Sequence, residues 1–233
     1  MPEQTTTNPI ARRQFLRHVL SGAVTGAAVA GIEATLPRPL LAQTPLTPDA
    51  ALRELMTGNE RFANHQLTSV EHDLRILKEH TVEKQEPFAA VLACADSRVP
   101  IELVFDQTIG HLFVTRVAGN IVTPEIMASL EYAVAVLGVK VLLVLGHTGC
   151  GAVKAAMKAD TVPGQISALY QYIQSSVEHS GGDVGQAIAN NAKFQANVLR
   201  TSSTVVRDAL QAAKVRVESG VYDLATGTVT LHA

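Results

Sequence analysis

Three short runs of uninterrupted apolar residues limit what this chain can fold into: Phe88 to Ala93, Leu112 to Thr115 and Val141 to Leu145. None alternates apolar with polar, as a strand with one wet face would. Continuous runs of this length suit strands buried on both faces, and such strands belong to a parallel sheet covered by helices. Helical signals fall between and around them. Thr123-Pro124-Glu125 opens a helix predicted to run to about Leu137, with Gly138 as its C-terminal cap. Further helices are predicted from about Ala152 to Lys158, from Pro163 to about Glu178, and, as one or two, between Asp183 and Ala213. Ahead of the first run, Thr47 is read as an N-cap with Pro48 at the first helical position, where its missing N–H costs nothing. The stripe Ala51, Leu52, Leu55, Met56 and Phe62 makes this an amphipathic arm, packed on its own domain or on a partner subunit. Val215 to Tyr222 and Thr228 to Leu231 flank a turn-rich segment and read as a terminal hairpin. The predicted class is α/β: one domain, a mostly parallel central sheet flanked by helices, and an N-terminal helical arm.

Two motifs sit where such a sheet would bring them together. Cys94-Ala95-Asp96-Ser97-Arg98 follows the first apolar run, and His147-Thr148-Gly149-Cys150-Gly151 follows the third. In open α/β sheets, sites form beyond the carboxyl ends of strands, where connections diverge to opposite faces. If the first and third strands are neighbours, Cys94, His147 and Cys150 converge. Thiolate and imidazole are preferred zinc ligands, and three protein ligands with a fourth position open describe a catalytic site rather than a structural one. The plain structural readings are two buried cysteines, or a single disulfide between them, and a local Asp96–Arg98 ion pair.

Length and charge fit one enzyme-sized core. The chain has 233 residues, 47% of them hydrophobic and 17% charged, enough for a single domain. A net charge of -2 provides no basic field for nucleic acid. The N-terminus stands apart. Arg12-Arg13-Gln14-Phe15-Leu16-Arg17 precedes a weakly apolar stretch from Val19 to Ile32, too short and mild to span a bilayer. Residues 1–42 are read as a twin-arginine export signal cut after Ala42, leaving residues 43–233 as the catalytic domain. This predicts a periplasmic or otherwise exported protein that meets the membrane only during export. Leu40 is not the small residue of an ideal cleavage site, so a retained anchor is the alternative, and an unstructured tail with a chance Arg pair is the plain one.

Residues 48–232 resemble a beta-class carbonic anhydrase. The resemblance places zinc ligands at Cys94, His147 and Cys150 and an Asp/Arg pair at Asp96 and Arg98. Outside the two motifs it extends to Gln85, to Phe113 and Arg116 within Phe113-Val114-Thr115-Arg116-Val117-Ala118-Gly119-Asn120, and to Tyr132. It implies substrate contacts from Gln85, Phe113, Tyr132 and Gly151, the two aromatics lining a small apolar pocket at a dimer interface. Zinc is the implied cofactor, carbon dioxide and bicarbonate are the implied substrates, and a homodimer or higher homo-oligomer is the implied assembly. It further implies that Asp96 can swing onto zinc in a closed, inactive state.

The chemistry stands beside the name. Zinc lowers the pKa of a bound water from 15.7 toward about 7 and so provides hydroxide for a small electrophile. Two thiolates cancel the formal charge of the ion, so its water should be less acidified than beside three histidines. Arg98, always charged, is then the partner expected to hold Asp96 ionised and aimed at that water. One departure is informative: some relatives bind inhibitory bicarbonate through a Trp-Arg-Tyr cluster, but Val91 holds the Trp position and the chain contains no Trp. Arg116 alone is weak support for such a site. Two competing functions are hydrolysis of another small molecule, such as carbon disulfide, and a non-enzymatic exported zinc or thiol protein.

Overall fold

The structure is a computed structural model that describes residues 44–69, 84–159 and 161–232. The export segment predicted over residues 1–42 lies outside the described residues. Five strands form one sheet: β1 (Ala89–Ala93), β2 (Leu112–Arg116), β3 (Val141–His147), β4 (Arg216–Tyr222) and β5 (Val229–His232), in the order β2-β1-β3-β4-β5. The first four are parallel, and β5 returns antiparallel to β4 as the predicted hairpin. All residues of β1 and β3 are buried, as the continuous apolar runs required. Edge strand β2 is only partly covered.

Alternation along the strands divides the core. Ala89, Val91 and Ala93 with Val141, Leu143 and Leu145 face α1 (Pro48–Ala63) and α2 (Ile101–Val104). Ala90 and Leu92 with Leu142 and Val144 pack against α3 (Pro124–Tyr132), α6 (Val184–Ser202) and α7 (Thr204–Gln211). The arm therefore packs on its own domain: Ala51 and Leu55 are fully buried, and Asn59 donates to Val104 O and Gly227 O while accepting from Val229 N. A third cluster, beyond the carboxyl ends of the strands, joins α4 (Gly151–Lys158) and α5 (Tyr170–Glu178) to α6 around Cys94 and Cys150.

Local chemistry sets the helix starts. Thr47 and Thr123 accept from Ala50 N and Ile126 N, each with proline at the first helical turn. Ser203 both ends α6 and caps α7, its extended backbone accounting for two helices rather than one. Two predictions are corrected. The helix opened at Pro124 turns into a π-helical turn over Ala133–Leu137 before Gly138 closes it in the left-handed region. The helix expected from Pro163 begins later, as a 3-10 turn at Ile166–Leu169 leading into α5, because Gly164 adopts a φ of 61° and breaks the run.

The connection after β1 leads to β2 on one side, whereas β3 lies on the other. That reversal places the sheet's switch point at the carboxyl ends of β1 and β3.

Candidate metal centre

Cys94 directly follows β1, and His147 is the last residue of β3. The register aligns Ala93 with Leu145, so both motifs emerge side by side at the switch point. Between His147 and Cys150 the chain reverses tightly. Gly149 takes a φ of 72°, a conformation that a side chain would strain, and Cys150 becomes the N-cap of α4. The Thr148 hydroxyl accepts from Leu224 N, and its backbone N–H donates to Tyr222 O, so the β4–β5 hairpin fixes this turn.

The three sequence-predicted ligands meet. One ligand atom from each of Cys94, His147 and Cys150 lies within 4.8 Å of the other two, and all three residues are buried. The sulfurs are 3.9 Å apart. Two sulfurs each about 2.3 Å from a tetrahedral zinc would be about 3.8 Å apart, so the pair is spaced for one ion. His147 provides a second test. Its Nδ1 lies 3.1 Å from Thr148 O, a carbonyl that can only accept, so the proton belongs on Nδ1 and the lone pair on Nε2. Nε2 is buried without a hydrogen-bond partner. A buried acceptor left unpaired costs about 1–3 kcal/mol, and a metal ion would satisfy it. The donor set and its spacing fit zinc.

Electrostatics favour one thiolate in this cluster, at Cys94. The hydrogen bond from Cys150 pulls the Cys94 thiol down to about 4, and the Gly119 N–H contributes in the same direction. Cys150 is pushed up by that shared proton and by burial, while the free N–H groups of Ala152 and Val153 at the start of α4 oppose the rise.

Asp96 and Arg98 form a two-point pair beside this cluster. Arg98 Nε and backbone N donate to Asp96 Oδ1 at 2.9 and 3.0 Å, and Nη2 donates to Oδ2 at 2.7 Å. These bonds hold the Asp96 carboxyl well below the usual carboxylate range. Oδ2 also lies 3.8 Å from His147 Nε2, which puts one carboxylate oxygen at the edge of the ligand cluster. Arg116, the last residue of β2, donates to Cys94 O at 3.0 Å and to Asp96 O at 2.5 Å. It anchors the loop that carries both side chains, a role its sequence position did not signal.

The implied pocket residues are dispersed in one chain. Phe113 and Tyr132 do meet, their ring centroids 6.4 Å apart at 41°, but Tyr132 is 46% exposed on the β2 side of the molecule. Gln85 is exposed in the segment ahead of β1, whereas Cys94 follows the strand's other end. Gly151 opens α4 next to Cys150, and a methyl group there would meet nothing within 4 Å.

The comparisons with known proteins agree with this geometry. The family model described as "Carbonic anhydrase" matches residues 89–229. Carbonic anhydrase 2 of Mycobacterium tuberculosis (strain CDC 1551 / Oshkosh) is 44% identical over 124 residues, 50% of this chain and 58% of that protein's length. The carbonic anhydrase of Mycolicibacterium smegmatis is 32% identical over 80% of this chain and 94% of its own. This chain belongs to the beta-class carbonic anhydrase family. A crystal structure of the beta-carbonic anhydrase CafA of Aspergillus fumigatus superposes with a TM-score of 0.63 at 26% identity, covering 78% of this chain and 90% of that one. Membership in the carbonic anhydrase family therefore rests on sequence and fold together, and the matched span contains the three candidate ligands, Asp96 and Arg98.

Proposed function

We propose that this protein is a zinc-dependent carbonic anhydrase that reversibly converts carbon dioxide and water to bicarbonate and a proton. The observation that supports it most is the convergence of Cys94, His147 and Cys150 at the switch point, with an ionised Asp96 alongside. In this reading these three residues hold zinc, which when bound supplies the Lewis acidity that makes water nucleophilic near neutral pH.

The chain's own groups do the rest. Arg98 occupies both Asp96 oxygens but leaves Oδ2 a lone pair on the His147 side. In this reading that oxygen would accept a hydrogen bond from water at the metal site and so orient it toward carbon dioxide. Pairing with Arg98 keeps Asp96 an acceptor; if Arg98 let go, the carboxylate would be free to turn onto the metal and block it. With Nδ1 turned to Thr148 O, His147 presents Nε2 as its ligand atom. Buried apolar neighbours Ile121, Val153 and Ile173 keep bulk water from the ligands' rear.

Gln85, Phe113, Tyr132 and Gly151 are proposed substrate contacts. Gln85 lies beyond the amino end of β1, so it reaches a metal site only through a second copy of the chain. This requires a homodimer or higher assembly, which sedimentation would detect. Residues 1–42 are proposed as a twin-arginine signal that exports the domain beginning at residue 43 to the periplasm. Arg12→Lys with Arg13→Lys should then leave active, uncleaved enzyme in the cytoplasm; export unaffected by the change would exclude this signal.

Stopped-flow hydration of carbon dioxide by purified, metal-quantified protein tests the main reading. Activity should scale with zinc content and vanish on chelation. Zinc-loaded protein that ignores carbon dioxide but hydrolyses carbon disulfide would overturn it.

A further inference from the structure

The segment after β2 carries a backbone N–H to the metal cluster: Gly119 N donates to Cys94 Sγ at 3.4 Å. Gly119 has a φ of 78°, and a methyl group on it would come within 2.8 Å of Ile173 Cδ1 and 3.3 Å of Ala152 Cβ. No strand partner holds this stretch; residues 119 and 122 turn to two side chains on α6 instead. Asn191 Nδ2 donates to Gly119 O at 2.8 Å, and Gln195 Oε1 accepts from Val122 N at 2.8 Å. The two amides are linked, Gln195 Nε2 donating to Asn191 Oδ1 at 3.3 Å, and Gln195 also donates to Tyr172 O on α5 at 2.8 Å. Spacing of four residues puts both on one face of α6. Asn191 is 0% exposed and Gln195 1%, so water cannot replace these bonds.

We propose that Asn191 and Gln195 are positioning residues for the Cys94 ligand, holding residues 119–122 so that the Gly119 N–H donates to Sγ. The proposal rests on the metal reading above. An N–H donor draws electron density from the sulfur, so it weakens thiolate donation to the ion, and it fixes Sγ before the metal arrives. In a site with two thiolates, damping one of them preserves Lewis acidity. The amides thus act on the metal from a helix that provides no ligand.

The test uses cobalt(II)-substituted full-length protein, whose near-ultraviolet thiolate-to-cobalt band reports the donor strength of sulfur. Asn191→Leu removes the donor to Gly119 O, and Gln195→Met removes the Val122 and Tyr172 bonds at similar volume. Leu199→Val, on the same helix but facing the sheet core, is the control for lost stability. Both amide variants should move the band to longer wavelength and release zinc to a chelator about tenfold faster or more, with Leu199→Val at wild-type values. Wild-type spectra and release rates in whichever amide variants fold would overturn the proposal, as would the same shift in Leu199→Val. A wild-type protein that takes up no cobalt would overturn the metal reading, and this proposal with it. Cobalt bound normally with unshifted variants would overturn the positioning role alone.

Discussion

Two buried polar clusters in this protein are built from similar materials to opposite ends. Around Asp106, just before β2, the carboxylate is satisfied on both oxygens: Arg61 Nε at 2.5 Å and the Thr68 hydroxyl at 2.8 Å on Oδ2, the Thr68 and Ser69 N–H groups at 2.9 Å on Oδ1. Burial alone would raise this carboxyl, but Arg61, Ser69 and Thr68 more than reverse it and hold it below the usual range. At the switch point, in contrast, His147 Nε2 has no hydrogen-bond partner, and the two cysteine sulfurs face each other at 3.9 Å. A completed cluster ties α1 and residues 68–69 to the segment before β2. The incomplete one is a group that could hold a metal ion. Of these two clusters, the satisfied one is structural, and the one with an unpaired imidazole nitrogen holds the candidate metal ligands.

Breaking the incomplete cluster should have the largest effect on function. Cys150→Ser should abolish stoichiometric zinc and carbon dioxide hydration together, by elemental analysis and stopped flow. Full zinc in that variant would mean that the ligand set is wrong. Next come the groups beside the ligands. Asp96→Asn or Arg98→Ala should keep zinc and lose about 100-fold or more in kcat; wild-type rates in either would remove the pair from the mechanism.

The completed cluster should respond in stability instead. Asp106→Asn leaves Arg61 without its buried partner and should cost about 3 kcal/mol in denaturant unfolding, with kcat and zinc content unchanged. Because the folded carboxyl titrates below its unfolded value, its contribution is fully present above the unfolded pKa of about 3.9 and is lost as pH falls below that value. Wild-type stability should therefore drop more steeply with acid than that of Asp106→Asn, and parallel curves would contradict the assignment. Smallest of all, Gly151→Ala meets open space and should leave zinc and stability alone while lowering kcat/KM a few-fold by crowding the substrate side. No kinetic change would remove Gly151 from the substrate contacts.

Much of this was legible in the sequence, for reasons that differ by residue. Cys94, His147 and Cys150 could be grouped because continuous apolar runs identify buried parallel strands, and sites in such sheets form at strand ends. Thr47, Pro48, Thr123 and Pro124 marked helix starts because capping is local chemistry. The π-helical turn at Ala133–Leu137 left no such mark, since its apolar residues suit either helix. Arg116 was equally opaque: an arginine ending a strand has no spacing that reveals which carbonyls it will reach. Asn191 and Gln195 carry no local signal that sets them apart from the other polar residues of their helix. Their burial depends on how α6 lies against the segment after β2, and the buried glycine and backbone groups they serve are more than seventy residues away in sequence.

The central claim, that the unsatisfied cluster is a zinc site with two thiolates and one imidazole, is tested most directly by X-ray absorption at the zinc edge of the purified protein. The account predicts two sulfur ligands at about 2.3 Å and one imidazole nitrogen at about 2.0 Å, with a further light-atom ligand completing four. A zinc shell of nitrogen and oxygen alone, or with a single sulfur, would contradict it.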